Sequence, residues 1–341
     1  MNAAANERPA KADPHYFLYR ALEPLRPFLD DPNVVEIAVN RPGEVYVERL
    51  GLERMQHYRI DELSAGELHN IAERVAAITA QFVSPAKPIL SAWLPGGERI
   101  QCVIPPAAPD GGALSIRKQV VSDFSLEDLR AAGAMDKVAV SRSQTGDLDR
   151  LLREHLAADR IYDFVTLALA QRVSMLISGG TSSGKTTFLN ACLKSVGLDE
   201  RVITLEDTRE LYPPQPNSLH LVASKGDQGT SDVTIQSLME TSLRMRPDRL
   251  FVGEIRGAEA FSFLRAINTG HPGSISTVHA DTAHGAYEQL IMMVQQGGMA
   301  TGFTKSDLLT YVQTVIPIVI QLRREGGRRG VSEIFFARSD Q

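Results

Sequence analysis

Nine residues near the middle of the chain, Gly179-Gly180-Thr181-Ser182-Ser183-Gly184-Lys185-Thr186-Thr187, leave little freedom in the architecture around them. The first eight match G-x-x-x-x-G-K-[ST], a loop that works only between a buried strand and the N-terminus of a helix. Both neighbours are in place: the apolar run VSMLIS precedes the loop, and a helix-competent run, 187–193, follows it. Glycine permits the tight path on which backbone N–H groups converge on phosphate oxygens, and the helix N-terminus adds positive potential. Lys185 is then expected to reach the β- and γ-phosphates of a nucleotide, with the Thr186 hydroxyl on Mg²⁺. A chance glycine-rich turn would require neither neighbour.

The rest of the C-terminal half agrees. Short apolar runs at 173–177, 202–205, 250–252 and 274–278 alternate with amphipathic stretches, which argues for a parallel sheet of the RecA type. The N-terminal half has a different texture. Helical spacing begins near Tyr16, and runs 34–39 and 45–48 flank the turn signal Asn40-Arg41-Pro42-Gly43. Ser64-Ala65-Gly66-Glu67 has capping-box spacing ahead of a helix carrying Leu68, Ile71, Val75 and Ile78, and strands are expected at 99–104 and 114–118. The fold class is therefore α/β, a C-terminal RecA-like ATPase domain with a separate α+β N-terminal domain. The expected division is a disordered tail over 1–13, an N-terminal domain over 14–120, a polar linker over 121–150 and the ATPase domain over 151–341, its first helix running from Leu151 to about Ala170.

Three further segments carry chemistry. In Leu250-Phe251-Val252-Gly253-Glu254 an apolar strand delivers a carboxylate to its C-terminal end, where open α/β sheets bind ligands. Glu254 is thus a candidate for the magnesium shell, although Gly253 stands where such motifs usually carry Asp. Ile203-Thr204-Leu205-Glu206-Asp207-Thr208-Arg209-Glu210 is a second strand ending in acids. Either one of its carboxylates orients the attacking water, or the acids decorate a helix N-terminus for its dipole. Spacing does not separate the two. Gly270-His271-Pro272-Gly273-Ser274-Ile275-Ser276-Thr277-Val278-His279 places His279 just after a strand, able to face a γ-phosphate, and His271 before it. A histidine at such a place is more often structural. Arg244, Arg246, Arg249 and Arg256 cluster, and Arg117 and Lys118 end the first domain. Any could act on a nucleotide or simply pair with acids.

Bulk composition narrows the partners. There are 36 Lys and Arg against 41 Asp and Glu, a formal net charge of -5, so direct nucleic-acid binding has no strong signal. Cys102 and Cys192 are too distant to build a disulfide framework or a CxxC site and read as buried hydrophobes in a reducing compartment. The N-terminal stretch has no apolar core of signal-peptide length. The apolar stretch 312–322 is too short to span a bilayer and contains Pro317. The chain is expected to be cytosolic and to meet a membrane peripherally, through partners.

In order, GGTSSGKTT, ITLEDTREL, LRMRPDRLFVGEIRG and NTGHPGSISTVHAD resemble the phosphate loop, Asp box, Gly-Glu Walker B and His box of the secretion (traffic) ATPase superfamily. The wording of EDTREL and TGHPGSISTVHAD is most similar to its type IV secretion branch, as are DPNVVEIAVNRPGEVYVE and LPGGERIQCVIPP in the N-terminal half. The likeness covers roughly residues 20–335. It implies a hexameric ring that hydrolyses ATP with Mg²⁺, the nucleotide lying between N- and C-terminal domains. Such rings work in the cytoplasm at the inner-membrane face, with membrane components of the secretion system. They power pilus biogenesis and the export or conjugative transfer of protein or DNA. By position it makes Gly179 to Thr187 the nucleotide loop, Lys185 a catalytic cation, and Thr186 and Glu254 the metal residues. Glu206 becomes the candidate base, beside Asp207 and Glu210, and His279 the His-box residue. The four-cysteine zinc module common in the type II and pilus-extension branch has no counterpart. Two other readings are disfavoured: a nucleotide-dependent switch with negligible turnover, because each expected catalytic group is present, and a translocase that grips DNA directly, because the chain is acidic and has no aromatic-basic stretch for stacking bases.

Overall fold

The computed structural model describes residues 15–118, 130, 146–224, 230–298, 300 and 302–338. The expected tail and most of the expected linker lie outside the described residues. Two sheets organise the remainder. The first has six antiparallel strands: β1 (Val34–Arg41), β2 (Glu44–Arg49), β3 (Gln56–Arg59), β4 (Ile89–Trp93), β5 (Arg99–Val103) and β6 (Ala113–Arg117), in the order β3-β2-β1-β6-β5-β4. The helix Ala65–Ile78 covers it with Leu68, Ile71 and Val75. Ser64 Oγ caps that helix by accepting from Glu67 N, which is one half of the expected capping box.

The second sheet has seven strands: β7 (Met175–Gly179), β8 (Val202–Glu206), β9 (Ser218–Val222), β10 (Arg249–Val252), β11 (Ile275–Val278), β12 (Ile318–Glu325) and β13 (Arg328–Phe336). Their order is β13-β12-β7-β11-β10-β8-β9. Neighbours from β12 to β9 pair in parallel, and β13 closes the edge as the antiparallel arm of a hairpin. The inner strands β7, β8, β10 and β11 are buried along their whole length, as a sheet with helices on both faces requires.

Several expectations need correction. The helix foreseen from Leu151 to Ala170 is two helices, Asp147–Ala157 and Ile161–Ala170, broken where Asp159 takes a left-handed φ of 55°. The first of them begins inside the segment read as linker, because Asp147 and Asp149 favour a helix start. No helix follows the acids after β8; the chain runs irregularly to β9, so the dipole explanation for them falls. Strands β3, β4, β9 and the β12–β13 hairpin were not foreseen. The apolar stretch 312–322 divides at Pro317 between the helix Lys305–Val315 and β12.

The two sheets dock through polar contacts and through Val103, Ala107 and Ala108, which join the apolar core of the second sheet. The guanidinium of Arg201, fully buried, donates to the side chains of Asn40 on β1 and Asn217 before β9, and Asn40 Nδ2 donates to Asn217 Oδ1 at 2.8 Å. Arg246 binds Glu48 through both Nε (2.6 Å) and Nη2 (2.8 Å). Among the described residues, no helix is long and apolar enough to cross a membrane.

Arg249, a candidate for acting on nucleotide, is instead a core residue. It is 1% exposed, grips Glu200 through Nε and Nη2 at 2.7 and 2.8 Å, and donates from Nη1 to Leu169 O at 2.9 Å. Arg249→Ala would strand the buried Glu200 carboxylate with only Arg172. It is expected to cost about 3–5 kcal/mol in urea unfolding; a loss below about 1 kcal/mol would contradict the buried pair.

Candidate active site

The loop after β7 turns so tightly that a Cβ on Gly179 would sit 2.5 Å from Ser183 Oγ and 2.6 Å from Leu322 O. Only glycine fits there. The helix Lys185–Lys194 starts directly from the loop, so its first N–H groups lack acceptors within the helix. Lys185 is buried and folds back, its Nζ donating to the carbonyls of Gly179 (2.8 Å) and Gly180 (3.1 Å). Burial lowers its pKa, Glu254 raises it and Arg256 lowers it further, for a net depression. Ser183 Oγ is buried with no hydrogen-bond partner. Donors without acceptors around a buried cation are the chemistry of a phosphate cradle, and the residues present fit one.

Beside this loop lies a cavity of about 820 Å³. Thr181 to Thr187, Glu206, Asp207, Glu210, Glu254, Arg256 and His279 all line it, so the structure brings the sequence-predicted residues together, Gly179 and Gly180 forming the base of the loop. Glu254, just past β10, accepts from Arg256 Nη2 at 2.9 Å and stands 3.4 Å from His279 Nε2. Burial alone would raise its pKa; the Arg256 hydrogen bond and the positive charge of His279, Arg256 and Lys185 outweigh that and hold it below the ordinary glutamate value. His279 lies between the two charges, 3.4 Å from Lys185 Nζ.

Glu206 differs from the acids next to it. It ends β8 at 3% exposure, and its Oε1 accepts from the backbone N–H groups of Glu210 and Leu211, both at 2.8 Å. Its Oε2 is buried without a partner. Burial raises its pKa, helped by the Glu210 charge and only partly offset by those two hydrogen bonds and the nearby Thr204 hydroxyl. Asp207 is instead engaged by Arg256 Nη1 at 3.0 Å. Gly253 stands beside Glu206: a Cβ there would lie 3.4 Å from Glu206 Cγ, at the edge of ordinary van der Waals contact.

Other candidates lie elsewhere. His271 Nδ1 bonds Pro247 O at 2.8 Å and serves the loop before β11. Arg117 pairs with Glu36, Lys118 with the carbonyls of Phe28 and Asp31, and Arg244 with Ser91. Among the described residues, none from the first sheet lines the cavity, so a position for nucleotide between the two halves of one chain is not what this structure presents. Sequence reading missed Arg329, from β13, which lines the cavity. Its signal was Gly326-Gly327 between two arginine pairs, a hairpin turn.

Residues 20–325 match the family described as "Type II/IV secretion system protein". The chain belongs to that family. Among its relatives, the "Type IV secretion system protein VirB11" of Bartonella henselae is 40% identical over 328 residues, spanning 92% of this chain and 91% of that protein. The "Type IV secretion system protein PtlH" of Bordetella pertussis is 36% identical over 343 residues, 98% of each. The crystal structure of the VirB11 ATPase from the Brucella suis type IV secretion system, in complex with sulphate, matches with a TM-score of 0.88 and 33% identity over 95% of this chain and 96% of that one. The α/β architecture of this secretion-family chain is therefore that of a solved relative, as the resemblance implied, and the family carries nucleotide binding with it.

The raised pKa of Glu206 has a stability consequence. Between the ordinary carboxylate range and the raised folded value, the native state holds a proton that the unfolded chain has released, so stability is full below that range and falls as pH rises through it. Glu206→Gln keeps an acceptor for the two N–H groups and removes the buried charge. It is expected to be more stable than wild type near neutral pH, the gap closing as pH falls below the carboxylate range. Urea unfolding at both pH values tests this; a less stable variant at neutral pH would contradict it.

Proposed function

We propose that this chain hydrolyses ATP with Mg²⁺ at the loop of Gly179 to Thr187, and that the hydrolysis drives type IV secretion as a ring-shaped motor. The observation that carries the reading is the convergence of Lys185, Glu206, Glu254 and His279 on one cavity. Bound Mg-ATP supplies the electrophilic phosphorus and part of the charge screening. Lys185 is preset for an anion, since only neutral carbonyl oxygens and the His279 ring contact its ammonium. The Thr186 hydroxyl and the Glu254 carboxylate would hold the metal; low pKa keeps Glu254 ionised for that role. Glu206 Oε2 accepts a proton from the attacking water. Its elevated pKa favours that transfer, and its second oxygen is pinned by two N–H groups, which fixes its aim. His279 responds to charge at Lys185 and Glu254.

The same reading takes 14–120 and 151–341 as two domains, with 1–13 as tail and 121–150 as connector; the first sheet's own core of Val34, Ile37, Val47, Ile71 and Ile116 supports this. It places the protein in the cytoplasm, peripheral at the inner membrane with secretion-system components, as a hexamer. A cavity lined, among the described residues, by the C-terminal half leaves a face for a neighbouring subunit to cover.

Purified protein with Mg-ATP is expected to turn over, with specific activity rising as protein concentration promotes assembly. Lys185→Ala should fall to background. Glu254→Gln should lose roughly 10²-fold or more in kcat. Full turnover in Lys185→Ala would contradict the site, and concentration-independent activity would contradict the ring.

A further inference from the structure

The ends of β12 and β13 run past the sheet. Ladder pairing between β7 and β12 stops at Gly179 with Leu322, so 323–325 and the strand opposite stand alongside the phosphate loop rather than within the sheet. This overhang carries Arg323, Arg324, Arg328 and Arg329 around the Gly326-Gly327 turn. Its two faces differ. Arg323 and Glu325 form an ion pair at 3.0 Å, and Arg328 stands opposite Glu325, so that face carries its own counter-charge. On the other face Arg324 stands directly opposite Arg329. Like charges at opposed positions destabilise a hairpin, and neither guanidinium has a hydrogen bond or ion pair among the described residues.

Arg329 is the member that reaches the cavity. A Cβ on Gly184 would lie 3.5 Å from Arg329 Cδ, so the arginine stem lies against the last loop residue before Lys185. The carboxylates and His279 arrive from β8, β10 and β11, on one side of β7; the hairpin arrives from β12, on the other. Arg329 therefore attends the end of the loop opposite the residues assigned to the γ-phosphate.

We infer that Arg329, seconded by Arg324, is a nucleotide-binding arm contributed by the same chain, whose guanidinium takes the phosphates of ATP and ADP alike. The inference rests on the ATPase reading and adds a residue to it. An anion between the two arginines relieves their mutual repulsion, so nucleotide binding and closure of the hairpin reinforce each other. An arm of this kind differs from an arginine acting in transition-state stabilisation: it grips substrate and product equally, so its loss is read in affinity and KM and not in kcat.

Calorimetric titration of ADP and kinetics with Mg-ATP, on full-length protein, test it. Arg329→Ala should weaken ADP roughly tenfold or more and raise KM in step. Arg324→Ala with Arg329→Ala should weaken it further, and Arg329→Lys should restore part of the loss. The salt dependence of ADP affinity should be shallower in the double variant than in wild type. Thermal melts without nucleotide should be no lower than wild type, since both side chains are exposed and their loss removes only repulsion. ADP affinity in Arg329→Ala within about twofold of wild type, while Lys185→Ala loses binding, would overturn the arm and leave the ATPase reading intact. A fall in kcat with affinity unchanged would overturn it too, in favour of a transition-state role. Wild-type protein that binds no nucleotide would overturn both readings.

Discussion

The parallel ladder of the second sheet sets where everything else can be. Val278 pairs with Ser178, Ser276 with Val252, and Val252 with Leu205. The next residues along these strands are Gly179, His279, Gly253 and Glu206. One backbone hydrogen-bond register thus brings a phosphate loop, a histidine and two carboxylate-bearing turns to a single edge, although more than seventy residues separate Glu206 from His279 in the chain. A slip of one residue in any strand would turn its side chains to the opposite face and take its functional group out of the cavity.

Electrostatics then separate residues that look alike in sequence. Glu206 and Glu254 each end a buried strand, yet their environments push their pKa values in opposite directions. Glu206 is buried and meets no cation, so its proton affinity rises; Glu254 is surrounded by Arg256, His279 and Lys185, so its charge is favoured. A pair of carboxylates held apart in this way divides naturally into a proton acceptor and a metal-facing anion.

Legibility in the sequence followed the physics of each element. The phosphate loop could be read because glycine, lysine and threonine are needed there chemically, and the inner strands because burial on both faces leaves a continuous apolar run. The closeness of Gly253 to Glu206 could not be read, since the two lie on adjacent strands. The arginines defied sequence reasoning for a related cause: Arg249 and Arg256 are seven residues apart, yet one is locked to Glu200 in the core and the other bridges Glu254 and Asp207 at the cavity. Strand β9 was missed because its pattern, SLHLV, is short, and the β12–β13 hairpin because its arginine-rich overhang has no apolar alternation.

The central claim is that Glu206 and Glu254 serve one reaction in one cavity. A double-mutant cycle on kcat, with Glu206→Gln, Glu254→Gln and the pair combined, tests it most directly. Groups acting as a unit give a combined variant little slower than the worse single one, with nucleotide still bound. Losses that multiply in full would mean that the two carboxylates act independently and would contradict the account.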